Sequence, residues 1–196
     1  DNKIPALALG LFKTKNSQRN LDRIPLERIY DAIIWLQRNN YKNIAVEGVS
    51  KGAEYALAAA LAFPELSCVI VKTPSWFYSE GIISNRPSGT SCWSYLGKEL
   101  PFTLYKTRKF GMAKMLWKAK EFNILKVNTG KTVVPKSIIP IEKIKAPILM
   151  FSTSVDTIWP SKESCEKLED RLKKKNFSYP HRHVCFDHMI PLMTCP

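Results

Sequence analysis

This sequence is sparing with the groups on which most enzyme chemistry relies. Its 196 residues include three histidines, eight glycines and five cysteines, and acidic side chains number 17 against 30 lysines and arginines, a net charge of +13. The cysteines, Cys68, Cys92, Cys165, Cys185 and Cys195, are odd in number and widely spaced. None forms a Cys-x-x-Cys pair, which argues against a disulfide framework and against a zinc site, so no metal or other cofactor is expected. Reduced thiols fit a cytoplasmic protein. No apolar run is long enough to span a bilayer, and the N-terminus lacks the charged-then-apolar profile of a signal peptide. Because the chain opens on Asp1, it is expected to be a processed or excised piece.

The excess of positive charge has two readings. Most of it lies on solvated faces, such as the run Arg171, Lys173, Lys174 and Lys175 at a helix end. A basic face would also draw in an anionic substrate that carries phosphates. Nucleic acid is not expected as a partner, since basic residues are not interleaved with aromatics and no helix-turn-helix or finger spacing is present.

Scarce glycine gives weight to one stretch, Gly48-Val49-Ser50-Lys51-Gly52. A serine flanked by glycines at two residues' distance, after a strand and before a helix, is the nucleophile-elbow pattern. A serine that attacks an acyl carbon must project from a very tight turn, and glycines at 48 and 52 are expected to remove side chains that would collide there. The flanks agree: Asn43 to Glu47 has strand character, and Ala53 to Phe63 is an alanine-rich buried helix that Pro64 ends. The backbone N–H of Lys51, at the start of that helix, would face an oxyanion forming near Ser50.

The rest of the chain alternates strand and helix. Ile4 to Leu9 predicts a buried strand, and Pro25 is expected to open a helix reaching about Asn39. Ser67 to Lys72 and Pro147 to Ser152 are continuous apolar strands of the kind buried on both faces of a parallel sheet. Between them the rhythm breaks from about residue 75 to 135, a cap-like insertion with one helix expected near Phe110 to Glu121. Its aromatics, Trp76, Phe77, Tyr78, Trp93, Tyr95, Phe102 and Trp117, either pack the cap on the sheet or cover an apolar ligand; packing is the favoured reading. Ser161 is expected to cap a helix to about Lys175 that buries Cys165, Leu168 and Leu172, and a last strand runs from His181 to Phe186. The pattern gives an α/β fold with a mostly parallel sheet flanked by helices, residues 1–196 forming a single domain.

Ligands in such sheets lie at the carboxyl ends of the strands, and Ser50, Asp156 and His188 each follow a predicted strand. A serine hydroxyl needs a base to take its proton, and that base needs a carboxylate to fix its tautomer. His181 and His183 share one face of the last strand and suit structural roles, whereas His188 lies beyond it. Asp156 is preferred to Asp170 and to Asp187, the latter being adjacent to His188. The order Ser, Asp, His is that of α/β-hydrolase triads.

The elbow through Ala53-Glu54, Ile24-Pro25-Leu26-Glu27, Ile139 to Ile144 leading to Pro147-Ile148-Leu149, Asp156 with Trp159-Pro160-Ser161, and His188-Met189-Ile190 together resemble one family. This is the C-terminal domain of the acyl-CoA thioesterase and bile acid-CoA:amino acid N-acyltransferase family. The resemblance covers most of the chain outside residues 75 to 135. It implies an α/β-hydrolase fold and a Ser50–Asp156–His188 triad that cleaves an acyl-CoA thioester through an acyl-serine. Cysteine usually holds the nucleophile position in the N-acyltransferase branch, so serine leans toward hydrolysis. The alternatives are a silent relative that binds acyl-CoA or a protein, and an esterase or peptidase of the same fold. The resemblance also implies a second oxyanion donor from an earlier loop and a closing C-terminal helix, so the domain is expected to be truncated at both ends. Val155 and Cys185-Phe186-Asp187 depart from the family pattern.

Overall fold

The structure, a computed structural model, describes residues 4–84, 86–105, 133–156 and 158–187. Its centre is a sheet of four parallel strands in the order β2 (Ile44–Val49), β3 (Leu66–Lys72), β8 (Ile148–Thr153) and β9 (His181–Phe186). Helix α2 (Lys51–Ala62) packs on β2 and β3, and α3 (Ser161–Lys174) packs on β8 and β9. Helix α1 (Glu27–Arg38) adds Ile29 and Ile33 to the same core.

Each helix shows its sequence logic. Cys165, Leu168 and Leu172 of α3 are fully buried, as their spacing predicts. In α2 every residue from Ala53 to Ala60 is buried, which is what a helix apolar on all sides requires. Alanine allows the close approach to the strands and has the highest helix propensity. The strands predicted at 67–72 and 147–152 are present, but each buries one face and leaves the other half-buried.

Three local expectations need correction. Ile4 to Leu9 forms no strand, and Ile4 is 81% exposed; an apolar run needs a hydrogen-bonded neighbour before it becomes a strand. Pro25 does not open α1. Ile24–Pro25 form β1, which pairs parallel with β6 (Trp93–Tyr95), and the amides of Ile24 and Leu26 donate to the carbonyls of Cys92 and Ser94 at 2.8 and 2.9 Å. Those bonds hold the segment extended, and the helix starts after Leu26. Ser161 is the first helical residue of α3 while Pro160 holds the cap position, and the Ser161 hydroxyl instead accepts from the Thr153 amide at 3.4 Å.

The insertion has more order than its composition suggested. β4 (Glu80–Ile83) and β5 (Arg86–Ser91) form an antiparallel hairpin, and β6 pairs with β7 (Lys98–Glu99). Phe77, Tyr78 and Trp93 are buried; Tyr78 and Trp93 join the main core, and Phe77 packs against Trp76 and Trp159. The helix expected near Phe110 to Glu121, and Trp117 with it, lies outside the described residues.

Candidate active site

The strand register brings Ser50 and Asp156 to one rim. Val49 is level with Lys72, Lys72 with Phe151, and Phe151 with Val184. Ser50 therefore stands one residue past this line and Asp156 five past it, both at the carboxyl edge. Neighbouring strands are about 4.8 Å apart, so the ends of β2 and β8 are separated by about 10 Å, a span that one imidazole can help to bridge. His188 lies outside the described residues, two positions beyond the end of β9.

The turn at Ser50 has the strain that the elbow pattern predicts. Ser50 is exposed and adopts φ 53°, ψ −113°, a conformation that a residue with a Cβ tolerates only when its surroundings enforce it. Three hydrogen bonds enforce it: the Ser50 amide donates to the Lys72 carbonyl at 2.9 Å, and the Ser50 carbonyl accepts from the amides of Ala53 and Glu54 at 3.0 and 3.2 Å. Helix geometry leaves the preceding amides, of Lys51 and Gly52, without a carbonyl one turn earlier. Those N–H groups are the donors available to an oxyanion beside Ser50.

The two glycines turn out to differ. A Cβ on Gly48 would lie 2.1 Å from the carbonyl oxygen of Gly52, so only glycine fits at 48. A Cβ on Gly52 would meet nothing within 4 Å. The expectation that both glycines relieve a collision holds at 48 and fails at 52, because the chain folds position 52 over position 48 and leaves its own outer side open.

Asp156 is half-buried in the loop after β8. Its Oδ1 accepts from the amides of Ile158 and Trp159 at 3.0 and 2.9 Å, so it shapes the turn as well as standing at the rim. Trp159 locks this loop in place, its indole N–H donating to the Pro74 carbonyl at 3.2 Å and to Ser164 Oγ at 3.1 Å. Asp170 is exposed on α3, beyond its midpoint, and Asp187 is exposed with its Oδ1 3.5 Å from Ser154 Oγ.

Sequence reasoning missed a buried polar cluster immediately below the elbow. Glu54 is 1% exposed and accepts from the Ser79 amide (2.8 Å), the Ser79 hydroxyl (2.9 Å) and the Trp93 indole N–H (2.7 Å). Its fourth partner is the Lys51 ammonium at 3.2 Å, which also donates to Ser79 Oγ and lies 5.8 Å from the centre of the Tyr105 ring. Burial opposes the charge on Lys51, but Cys92, Glu54 and Tyr105 around it outweigh that, and its pKa is raised above the usual lysine value. Burial pushes the neighbouring Cys92 thiol up to about 12, and the direct ion-pair contact of Lys51 is with Glu54. The signal was available: a lone carboxylate in a helix otherwise apolar on every side must find partners inside the protein.

A family model described as "BAAT / Acyl-CoA thioester hydrolase C terminal" matches residues 24–196. The chain belongs to this C-terminal family. Together with the parallel sheet, the flanking helices and the elbow, membership makes the fold α/β-hydrolase-like, and the chain a hydrolase-family member. A search among curated proteins found no match. Among solved structures, a putative dienelactone hydrolase from Klebsiella pneumoniae shares 12% identity at a TM-score of 0.45, over 83% of this chain and 47% of that one. A Mycobacterium tuberculosis puromycin-hydrolyzing peptidase shares 10% at 0.48, over 85% and 22%. A lipase-esterase related protein from Clostridium acetobutylicum shares 11% at 0.45, over 91% and 72%. The family member described here thus spans less than half the length of the first two.

Among the described residues no group of three or more His, Cys, Asp or Glu side chains is placed to hold a metal ion. Cys68, Cys92, Cys165 and Cys185 are free thiols. No helix of the described residues is long and apolar enough to cross a membrane.

Proposed function

We propose that this chain, as one domain over residues 1–196, carries the catalytic centre of a serine hydrolase that cleaves acyl-CoA thioesters. Ser50 Oγ attacks the thioester carbon while His188 takes its proton and Asp156 holds the imidazole and offsets its charge. The Lys51 amide donates to the oxyanion. Collapse of the tetrahedral adduct breaks the C–S bond, the imidazolium returns the proton to the departing thiolate, and acyl-Ser50 remains. Water activated by the same histidine then adds to the acyl carbon, giving the free acid and the original serine. The thiolate is a good leaving group, so this scheme needs no metal or other cofactor.

The observation that carries the reading is the φ of 53° at Ser50 in an elbow whose Gly48 admits no side chain. Family membership supports the thioester as substrate, and serine rather than cysteine at the nucleophile position favours water as the acceptor. The net charge of +13 suits a ligand bearing the phosphates of coenzyme A. The four free thiols fit a reducing compartment, and we place the protein in the cytoplasm.

The test is labelling of the full-length protein by a fluorophosphonate, followed by hydrolysis assays on an acyl-CoA, an aryl ester and a peptide amide. The expected result is one labelled site, lost in Ser50→Ala, with acyl-CoA the best substrate and turnover abolished in His188→Ala. Absence of labelling and turnover would overturn the reading in favour of a silent binding domain. Preference for the ester or amide would overturn the thioester assignment alone.

A further inference from the structure

The four partners of Glu54 join two parts of the chain that meet at the oxyanion donors. Lys51 and Glu54 are the first and fourth residues of α2, so both belong to the helical turn that begins directly after Ser50. Ser79 and Trp93 belong to the insertion, 25 and 39 residues from Glu54. Ser79 closes a three-membered ring of contacts, its hydroxyl accepting from the Lys51 ammonium and donating to Glu54 Oε2, while Lys51 also pairs directly with Glu54. Glu54 Oε1 takes the Ser79 amide and the Trp93 indole, so both carboxylate oxygens are held and the group has no freedom to swing.

The Lys51 backbone is thereby fixed from two directions. On one side, the Ser50 carbonyl, which shares a peptide plane with the Lys51 amide, accepts from the amides of Ala53 and Glu54. On the other, the Lys51 side chain ends in the insertion, at Ser79 and over the Tyr105 ring. A peptide plane anchored at both ends can point its N–H in one direction only, and an oxyanion donor is effective only when its direction is set in advance.

We propose that Lys51 and Glu54 are positioning residues: with Ser79 they form a strut between the insertion and the elbow that aims the amides of Lys51 and Gly52 at the oxyanion. The inference rests on the serine-hydrolase reading above. It assigns the insertion a part in the reaction through backbone alignment, separate from any contact with substrate.

Three variants of the full-length protein separate alignment from simple stability. Lys51→Met keeps the side-chain stem and removes the ammonium; Glu54→Gln keeps the shape and removes the charge; the double variant removes both charges together. Each single variant leaves one buried charge unpaired and lowers the Tm, whereas the double variant regains much of it, because no lone charge remains. The strut predicts that kcat on acyl-CoA falls about 10- to 100-fold in Lys51→Met with KM within about threefold, since misplacement by about 1 Å costs up to about 100-fold. It also predicts that the double variant recovers Tm without recovering kcat. A double variant with parental kcat, or a folded Lys51→Met with unchanged kcat, would overturn the strut. Hydrogen exchange by mass spectrometry over residues 50–56 gives a readout independent of turnover. The expected result is faster exchange in that peptide in the double variant with the rest of the protein unchanged; parental exchange there would reject the proposal. Failure of the parental protein to hydrolyse or label would count against the serine-hydrolase reading, and the exchange result would still decide the strut.

Discussion

Two buried polar clusters lie beneath the carboxyl rim, one toward each edge of the sheet, and they solve the same problem differently. Under β2 and α2, Lys51 and Glu54 are a full ion pair whose remaining hydrogen-bonding capacity is taken up by Ser79 and Trp93. Between β8 and β9, Ser152 Oγ is 2.7 Å from His183 Nε2, and His183 Nδ1 is 3.8 Å from Glu169 Oε2. Burial lowers the His183 pKa, opposed by Glu169 and Glu166 and assisted by Lys162, so the ring is neutral near pH 7. Serine, histidine and glutamate in sequence look like a second triad, yet Ser152 is 0% exposed and no substrate can reach it. The first cluster keeps its charge because the counter-ions are in direct contact at 3.2 Å; in the second the carboxylate stands farther off, at 3.8 Å from the ring. Ser79 and Ser152 thus serve as connectors, whereas Ser50 is exposed and strained, as the proposed nucleophile would be.

The contrast would break most visibly at Glu54. Glu54→Ala leaves the Lys51 ammonium without its counter-charge and the Ser79 amide and Trp93 indole N–H without their acceptor, and should cost about 3–5 kcal/mol in urea unfolding. A loss under about 1 kcal/mol would show that the charged cluster is no more critical than the neutral one.

Gly48→Ala comes next, because its Cβ would overlap backbone rather than a movable side chain. It should destabilise by about 2–3 kcal/mol and abolish fluorophosphonate labelling of Ser50. Gly52→Ala, with open space around the new methyl and a better helix former in place, should stay within about 1 kcal/mol of the parent.

The neutral cluster is sharpened by pH. A histidine whose folded pKa lies below its unfolded value of about 6.5 binds its proton more readily in the unfolded chain. Stability is therefore flat above that value, falls as pH drops through it, and levels off below the folded pKa. The slope contributed by one group is at most about 1.4 kcal/mol per pH unit, and His183→Gln should remove it from a plot of unfolding free energy against pH. Lys51, whose pKa is raised above the usual lysine value, should contribute nothing to that slope between pH 6 and 8.

The smallest effect is expected at Arg171, whose Nε and Nη2 meet the two oxygens of Glu142 at 2.5 and 2.7 Å. This pair is partly solvated, so Arg171→Ala should cost about 1 kcal/mol in urea unfolding and less in high salt. Its hydrogen bond lowers the Glu142 pKa, so the contribution is present above the unfolded carboxylate value and lost as pH falls through the folded one.

The elbow turn of the candidate site was legible because its geometry is local. Gly48, Ser50 and Lys51 are fixed by sterics and hydrogen bonds within a few residues, and the rim position of Asp156 follows from where β8 ends. The roles of Gly52 and Pro25 were misread for the opposite reason. Glycine at 52 looked equivalent to glycine at 48 until the turn showed which one faces backbone, and a proline suited to a helix start was held extended by β6, nearly 70 residues away. Glu54 was visible as an anomaly in α2, but its partners were not.

The sequence alone determined the alternation of strands and helices, the elbow and the chain order of Ser50, Asp156 and His188, since periodicity and tight-turn sterics act over a few residues. Only the tertiary structure decided which buried charges pair, which serine is exposed and how the insertion grips α2. Those choices depend on which distant segments exclude water from one another, and desolvation is a property of the packed chain, not of any short stretch of it.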